Sequence, residues 1–208
     1  MCVYFWWKGG APLVVGVYVD DLLVTGTKRE AVDAFFDELA VKSLGCAHKF
    51  LGMRVNYDED AGYDLDQEIT ISAMLGEHGM ELAHGVRASI GHEWNEEQEE
   101  SAARLPADGS DGVITVTKSR SLVGLLWVAT CSRPDIVFAV HKATRRALPT
   151  MADWKLAKRI LMYLAGTKGL RLQMHGKRGA NEPLEVVGYS DADFAADKED
   201  PKSVTGGW

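Results

Sequence analysis

The chain has 208 residues, 46% of them hydrophobic and 25% charged, the balance of a soluble globular protein that forms one large domain or two small ones. No apolar run approaches the roughly 20 residues a membrane helix needs, and the N-terminus lacks the charged-then-apolar order of a signal peptide. Three cysteines, Cys2, Cys46 and Cys131, are an odd number without short metal-ligand spacing; they indicate neither a disulfide framework nor a zinc site and fit a reducing, intracellular setting.

The first strand signal is the aromatic run over residues 2–7, followed by a turn at Gly9-Gly10. Residues 14–26, VVGVYVDDLLVTG, are an apolar, β-branched run, then Asp20-Asp21, then a second apolar run, which predicts a hairpin with the two carboxylates at its bend. Adjacent ionised carboxylates between buried strands are tolerable when solvated or when they hold a cation. A solvated turn is the simpler reading of a bare Asp-Asp pair. Hard oxygen ligands there also suit Mg²⁺, whose common use with paired aspartates is phosphoryl or nucleotidyl transfer.

Thr27 is placed to cap a helix running to about Lys42, with Val32, Phe35, Phe36 and Leu39 on one stripe. A strand is expected over residues 50–57, a turn over 58–62 and a return strand over 63–66. Within it, Phe50-Leu51-Gly52 begins a small hairpin whose plainest role is structural. A helix over residues 68–79 follows. Residues 83–112 carry few apolar residues, clustered acid (Glu96, Glu97, Glu99, Glu100) and several turn dipeptides, the composition of a linker or surface loop. His92 and Glu93, isolated in that loop, read as solvated side chains.

Net charge is divided unevenly. Residues 1–112 hold 8 basic and 21 acidic side chains, and residues 113–208 hold 15 and 9, so the halves stand at −13 and +6. Between Lys118 and Arg178 there are 13 basic residues and only two acidic ones, Asp135 and Asp153. That surplus is either a solvated basic face or the footprint of contact with a phosphate backbone. It falls on three predicted helices. The first carries Leu122, Leu125, Leu126 and Ala129 and ends before Pro134, which opens the next. The second buries Ile136, Ala139, Val140 and Ala143 and ends at Arg145-Arg146. The third runs from Ala152 through Trp154, Ala157, Leu161 and Leu164, with Lys155, Lys158 and Arg159 on its outer side. Strands are expected over residues 169–174 and 184–189, with Asp191 just beyond the second.

Tyr18-Val19-Asp20-Asp21, with its apolar flanks and the following LLVTG, closely resembles the polymerase motif of copia-type retrotransposon reverse transcriptases. Phe50-Leu51-Gly52, by order and spacing, resembles the primer-grip hairpin of those enzymes. RSLVGLLWVATCSRPDIVFAV and DWKLAKRILMYLAGT are similar to the segment linking polymerase to nuclease. VGYSDADFAADKEDPKSVTGGW resembles the opening of the family's ribonuclease H domain.

The resemblance implies an α+β fold: a partial reverse-transcriptase palm, an antiparallel sheet with helices, then a helical thumb and connection, then truncated ribonuclease H-like strands. It implies residues 1–82 as the C-terminal half of the palm with primer-grip hairpin and following helix. An acidic linker over 83–117, a basic thumb/connection over 118–168 and the start of the nuclease over 169–208 complete the division. Asp20 and Asp21 are then the catalytic Mg²⁺ ligands of the polymerase, and Asp191 matches the first catalytic, metal-binding aspartate of the nuclease. Phe50, Leu51 and Gly52 form the primer grip, and Lys155, Lys158 and Arg159 contact an RNA–DNA hybrid or template-primer. The fingers, the first palm carboxylate and the later nuclease ligands lie in other parts of the parent polyprotein. The chain by itself is therefore expected to be a catalytically silent fragment of an RNA-directed DNA polymerase, or else a non-catalytic nucleic-acid-binding remnant. Its expected setting is intracellular: cytoplasmic, particle-associated or nuclear.

Overall fold

Apolar alternation in the first third of the chain builds a sheet with one covered face. The computed structural model describes residues 2–8, 10–58, 60–91, 103–110, 112–174, 187–188, 190–193 and 204–207, in two compact units, Met1–His175 and Gly176–Trp208. In the first unit β1 (Cys2–Lys8), β2 (Ala11–Tyr18) and β3 (Asp21–Gly26) form an antiparallel sheet in chain order. Alternate residues Ala11, Leu13 and Val15 of β2 are buried. Helix α1 (Arg29–Glu38) packs Phe35, with Ala31, Val32 and Phe36, onto that face, and Trp6 meets Phe35 edge-on at 5.8 Å. On the opposite face of β1, Val3, Phe5 and Trp7 stay exposed.

Helix α1 is shorter than expected. Its N-cap is Lys28 rather than Thr27, with no side-chain cap, and soon after its end Ala40 adopts φ +51°, which a right-handed helix cannot continue through.

A second antiparallel sheet holds β4 (Lys49–Phe50), β5 (Met53–Asp58), β6 (Gly62–Asp66) and β7 (Leu172–Met174), in that order. The continuous strand expected over 50–57 is instead two strands around a tight turn. Phe50 pairs with Met53, while Leu51 and Gly52 take φ +50° and +78°, the pair of positive values that a two-residue hairpin loop needs to match strand twist. Strand β7 pairs Leu172 with Leu65 of β6, and Arg171 reaches Asp64 at 3.5 Å. Residues 169–174, grouped by sequence with the C-terminal part, thus complete a sheet of the first unit.

Helix α2 (Glu68–Glu77) leads to the main core, shared with α3 (Val116–Ala129), a one-turn 3₁₀ helix (Pro134–Ile136), α4 (Val137–Thr144) and α5 (Met151–Thr167). Leu122, Leu126, Ala129, Ile136, Val140, Ala157, Ile160, Leu161 and Leu164 are fully buried there, the stripes that helical spacing predicts. Thr150 and Asp153 form a reciprocal capping box at the start of α5. A Cβ at Gly85 would stand 2.5 Å from Gly166 Cα, so two glycines permit backbone-to-backbone contact between residue 85 and α5.

The acidic stretch is anchored on both sides. Ala83 and Ile90 pack on the helical core, Leu105 is buried, its N–H donates to Pro149 O at 3.0 Å, and Met151 N–H donates to Ala103 O at 2.9 Å. The glutamates at 96, 97, 99 and 100, with His92 and Glu93, lie outside the described residues. In the second unit β8 (Ser190–Asp193) pairs antiparallel with β9 (Val204–Gly207). Of the strand expected over 184–189, residues 187 and 188 are described and are not in a strand; the rest lies outside the described residues.

Candidate functional site

Tyr18 pairs with Asp21 across β2 and β3, so Val19 and Asp20 form the whole loop of the hairpin and Asp21 is the first residue of β3. Both carboxylates are exposed. Val19 has φ +52° and is 81% exposed. A β-branched residue in the left-handed region costs about 1–3 kcal/mol, so this tip holds strain that a glycine or asparagine would relieve. Carboxylates are hard oxygen donors of the kind that Mg²⁺ takes. Among the described residues no group of three or more His, Cys, Asp or Glu side chains could hold a metal ion.

Phe50, Leu51 and Gly52 lie at the second two-residue turn. Thr70 of α2 donates its hydroxyl to Gly52 O at 2.9 Å, tying the turn to the helix. Arg54 extends the tie, with Nε donating to Asp66 at 2.9 Å and Nη2 to Glu68 at 3.2 Å. Asp66 is 1% exposed. Burial acts to raise its carboxyl, but Arg54, the Glu68 N–H and Arg171 together hold it below the usual carboxylate range.

On α5, Lys155 and Lys158 are exposed and Arg159 is half-buried, a cluster at i, i+3 and i+4. One member of the basic surplus does not face solvent at all. Arg133 is 2% exposed and donates four hydrogen bonds: Nε and Nη2 to the Asp135 carboxylate at 2.9 and 2.7 Å, Nη1 to Thr167 O at 3.0 Å and Nη2 to Thr167 Oγ1 at 2.8 Å. Tyr163 donates its hydroxyl to Asp135 at 2.8 Å, and its ring faces the guanidinium at 5.6 Å. Burial works to raise the Asp135 carboxyl, yet Arg133 and Tyr163 pull it below the ordinary range; burial and the Asp135 charge push the Tyr163 hydroxyl up. This network pins the α3–α4 connection to the end of α5. Its signal in sequence was Pro134, read there as the end of one helix and the start of the next. Gln67, 2% exposed, makes a second pin by accepting from Ser132 at 2.7 Å and donating to Val128 O at 3.2 Å.

Asp191 is the second residue of β8, opposite Gly206. It belongs to the second unit.

An antiparallel sheet with paired carboxylates at a strained hairpin, packed on α1, and a separate helical core bearing exposed lysines define an α+β protein. Comparison with known proteins gives this class a lineage. The chain is 32% identical over 195 residues to the uncharacterized mitochondrial protein AtMg00810 of Arabidopsis thaliana, covering 91% of this chain and 75% of that one. It is 30% identical over 207 residues to the retrovirus-related Pol polyprotein from transposon RE2 of Arabidopsis thaliana, and 29% identical over 212 residues to that from transposon TNT 1-94 of Nicotiana tabacum. The chain belongs to the family of AtMg00810 and the copia-type retrotransposon Pol polyproteins. It spans 13% of the RE2 polyprotein and 15% of the TNT 1-94 polyprotein. No family model and no solved structure matches it. Among the described residues, no helix is long and apolar enough to cross a membrane.

Proposed function

We propose that the chain is the stretch of a copia-type Pol polyprotein that runs from the second half of a reverse-transcriptase palm, through thumb and connection helices, into the first strands of a ribonuclease H domain. The observation that carries this reading is the hairpin tip. It displays both carboxylates of Asp20 and Asp21 while keeping Val19 at φ +52°, and strain retained at an exposed acidic turn supports a role in binding over a role in stability. In the whole enzyme Asp20 and Asp21 would hold Mg²⁺, which would supply charge stabilisation to the α-phosphate of the transferred nucleotidyl group. Phe50, Leu51 and Gly52 steady the primer end, Lys155, Lys158 and Arg159 contact the phosphates of an RNA–DNA hybrid, and Asp191 binds the nuclease metal. The setting is intracellular, where such a hybrid is made.

The described residues supply two polymerase carboxylates and no third, so the purified chain is expected not to extend a primer. Mg²⁺-dependent incorporation that Asp20→Asn abolishes would overturn that expectation. Hybrid binding, read by fluorescence anisotropy, is expected to weaken with salt. Its salt slope should fall by about 2 when Lys155 and Lys158 both become Gln. Binding that ignores those two lysines would remove the thumb/connection assignment.

A second reading, a non-catalytic nucleic-acid-binding remnant, is favoured by the exposure of Lys155 and Lys158 on one face of α5. Sequencing the flanking DNA separates the two: fingers and nuclease in the same frame support a piece of a live element, and their loss supports the remnant.

A further inference from the structure

The sequence made nothing of the outward stripe of α3. Arg120, Gly124 and Trp127 recur at i, i+4 and i+7, so they line one side of the helix, with Val123 beside them. Facing them, Ala143 and Thr144 of α4 and the following Arg146, Ala147 and Pro149 close a groove of about 420 Å³. Gly124 makes the room, since a Cβ there meets no atom within 4 Å.

The wall is part aromatic and part cationic. Trp127 is 54% exposed, a large apolar ring left at the mouth of the groove. Arg120 donates Nη2 to Ala147 O at 2.9 Å, a tether that takes one of its five donors and orients the guanidinium toward the groove wall. Arg146 is held on its other side by Asp153, at 3.2 Å. Asp153 offsets the charge of Arg146, so the net positive charge of the groove wall is that of Arg120. Seven residues of helix separate Arg120 from Trp127 by about 10 Å along the axis.

The geometry points to a binding site for single-stranded nucleic acid in this groove. One base stacks on Trp127 over the gap at Gly124, and its phosphate lies against Arg120 and Arg146. The site is distinct from the lysine face of α5, and it rests on the reading above only in the choice of nucleic acid as ligand. An aromatic platform beside tethered guanidiniums is the arrangement that binds strands with little regard to sequence.

The test uses the full chain and a fluorescein-labelled 12-mer of thymidine, with binding read by anisotropy. An iodouracil version of the same strand is cross-linked by light and mapped by mass spectrometry. Trp127→Ala is expected to weaken binding about tenfold. Gly124→Leu, which fills the groove from a position with open space around it, should do the same while circular dichroism shows an unchanged fold. Arg120→Gln should lower the salt slope by about 1. Cross-links are expected on the peptide containing Trp127. Binding unchanged by both Trp127→Ala and Gly124→Leu, or cross-links confined to segments outside α3 and the end of α4, would overturn the site. A chain that binds RNA–DNA hybrid through Lys155 and Lys158 but ignores the single strand also overturns it, and leaves the proposed function standing. Loss of single-strand binding in Trp127→Ala, with hybrid binding indifferent to the lysines, upholds the groove and removes the thumb assignment.

Discussion

Replacing Arg133 with Met keeps most of the side-chain volume and removes the charge that holds the α3–α4 connection to the end of α5. Four hydrogen bonds are lost, two to the Asp135 carboxylate and two to Thr167. Thr167 Oγ1 keeps its own bond to Tyr163 O at 2.7 Å, and the Thr167 carbonyl loses the guanidinium but still accepts from the Leu170 N–H at 3.0 Å. Breaking a buried ion pair from one side costs about 3–5 kcal/mol. Asp135 is 34% exposed and retains Tyr163, so water and the phenol recover part of that penalty. A loss of about 2–4 kcal/mol is expected. Urea unfolding followed by circular dichroism at neutral pH measures it, and a double-mutant cycle with Asp135→Asn isolates the pair.

Titration supplies an independent check on the same residue. The folded-state pKa of Asp135 is depressed, so the pair contributes fully above the unfolded carboxylate value of about 3.9, and the contribution fades as pH falls through the lower folded value. The difference between Arg133→Met and the parent should therefore shrink in acid. A cost under about 1 kcal/mol with no coupling in the cycle would refute the reasoning, because a solvated arginine behaves that way.

Other substitutions probe the remaining devices. Val19→Gly relieves about 1–3 kcal/mol of strain and adds about 0.5–1 kcal/mol of chain entropy in the unfolded state, so the urea midpoint should hold or rise. A clear fall would mean that Val19 makes contacts its 81% exposure does not reveal. Gly85→Ala drives a methyl to 2.5 Å from Gly166 Cα and is expected to cost about 1–3 kcal/mol in the same assay. Thr150→Ala removes the capping box of α5 and should cost about 1 kcal/mol. Protection of the first-turn amides against hydrogen exchange would fall with it.

Several elements were legible because their signals are local. The Asp20-Asp21 hairpin follows from two apolar runs around a polar pair, and the stripes of α3, α4 and α5 follow from a period that any buried helix must show. Elements whose bounds depend on backbone conformation were less legible. Leu51 at φ +50° splits a strand that reads as continuous, because leucine gives no warning of a left-handed turn. Thr27 has the chemistry of a cap, yet the chain enters α1 one residue later. The groove on α3 was missed for a related reason. Gly124 and Trp127 look unremarkable in a helical pattern until the end of α4 is placed across from them.

Composition and spacing determined the α+β class, the paired carboxylates at a bend and the apolar faces of the helices, since each depends on neighbours a few residues apart. Tertiary structure alone decided which cations face water and which are consumed inside. Arg133 counts as surface charge in the sequence but is spent on Asp135 and Thr167, the latter 34 residues away along the chain. Contacts at that separation leave no periodic trace; only packing α5 against the α3–α4 connection brings them within hydrogen-bond reach.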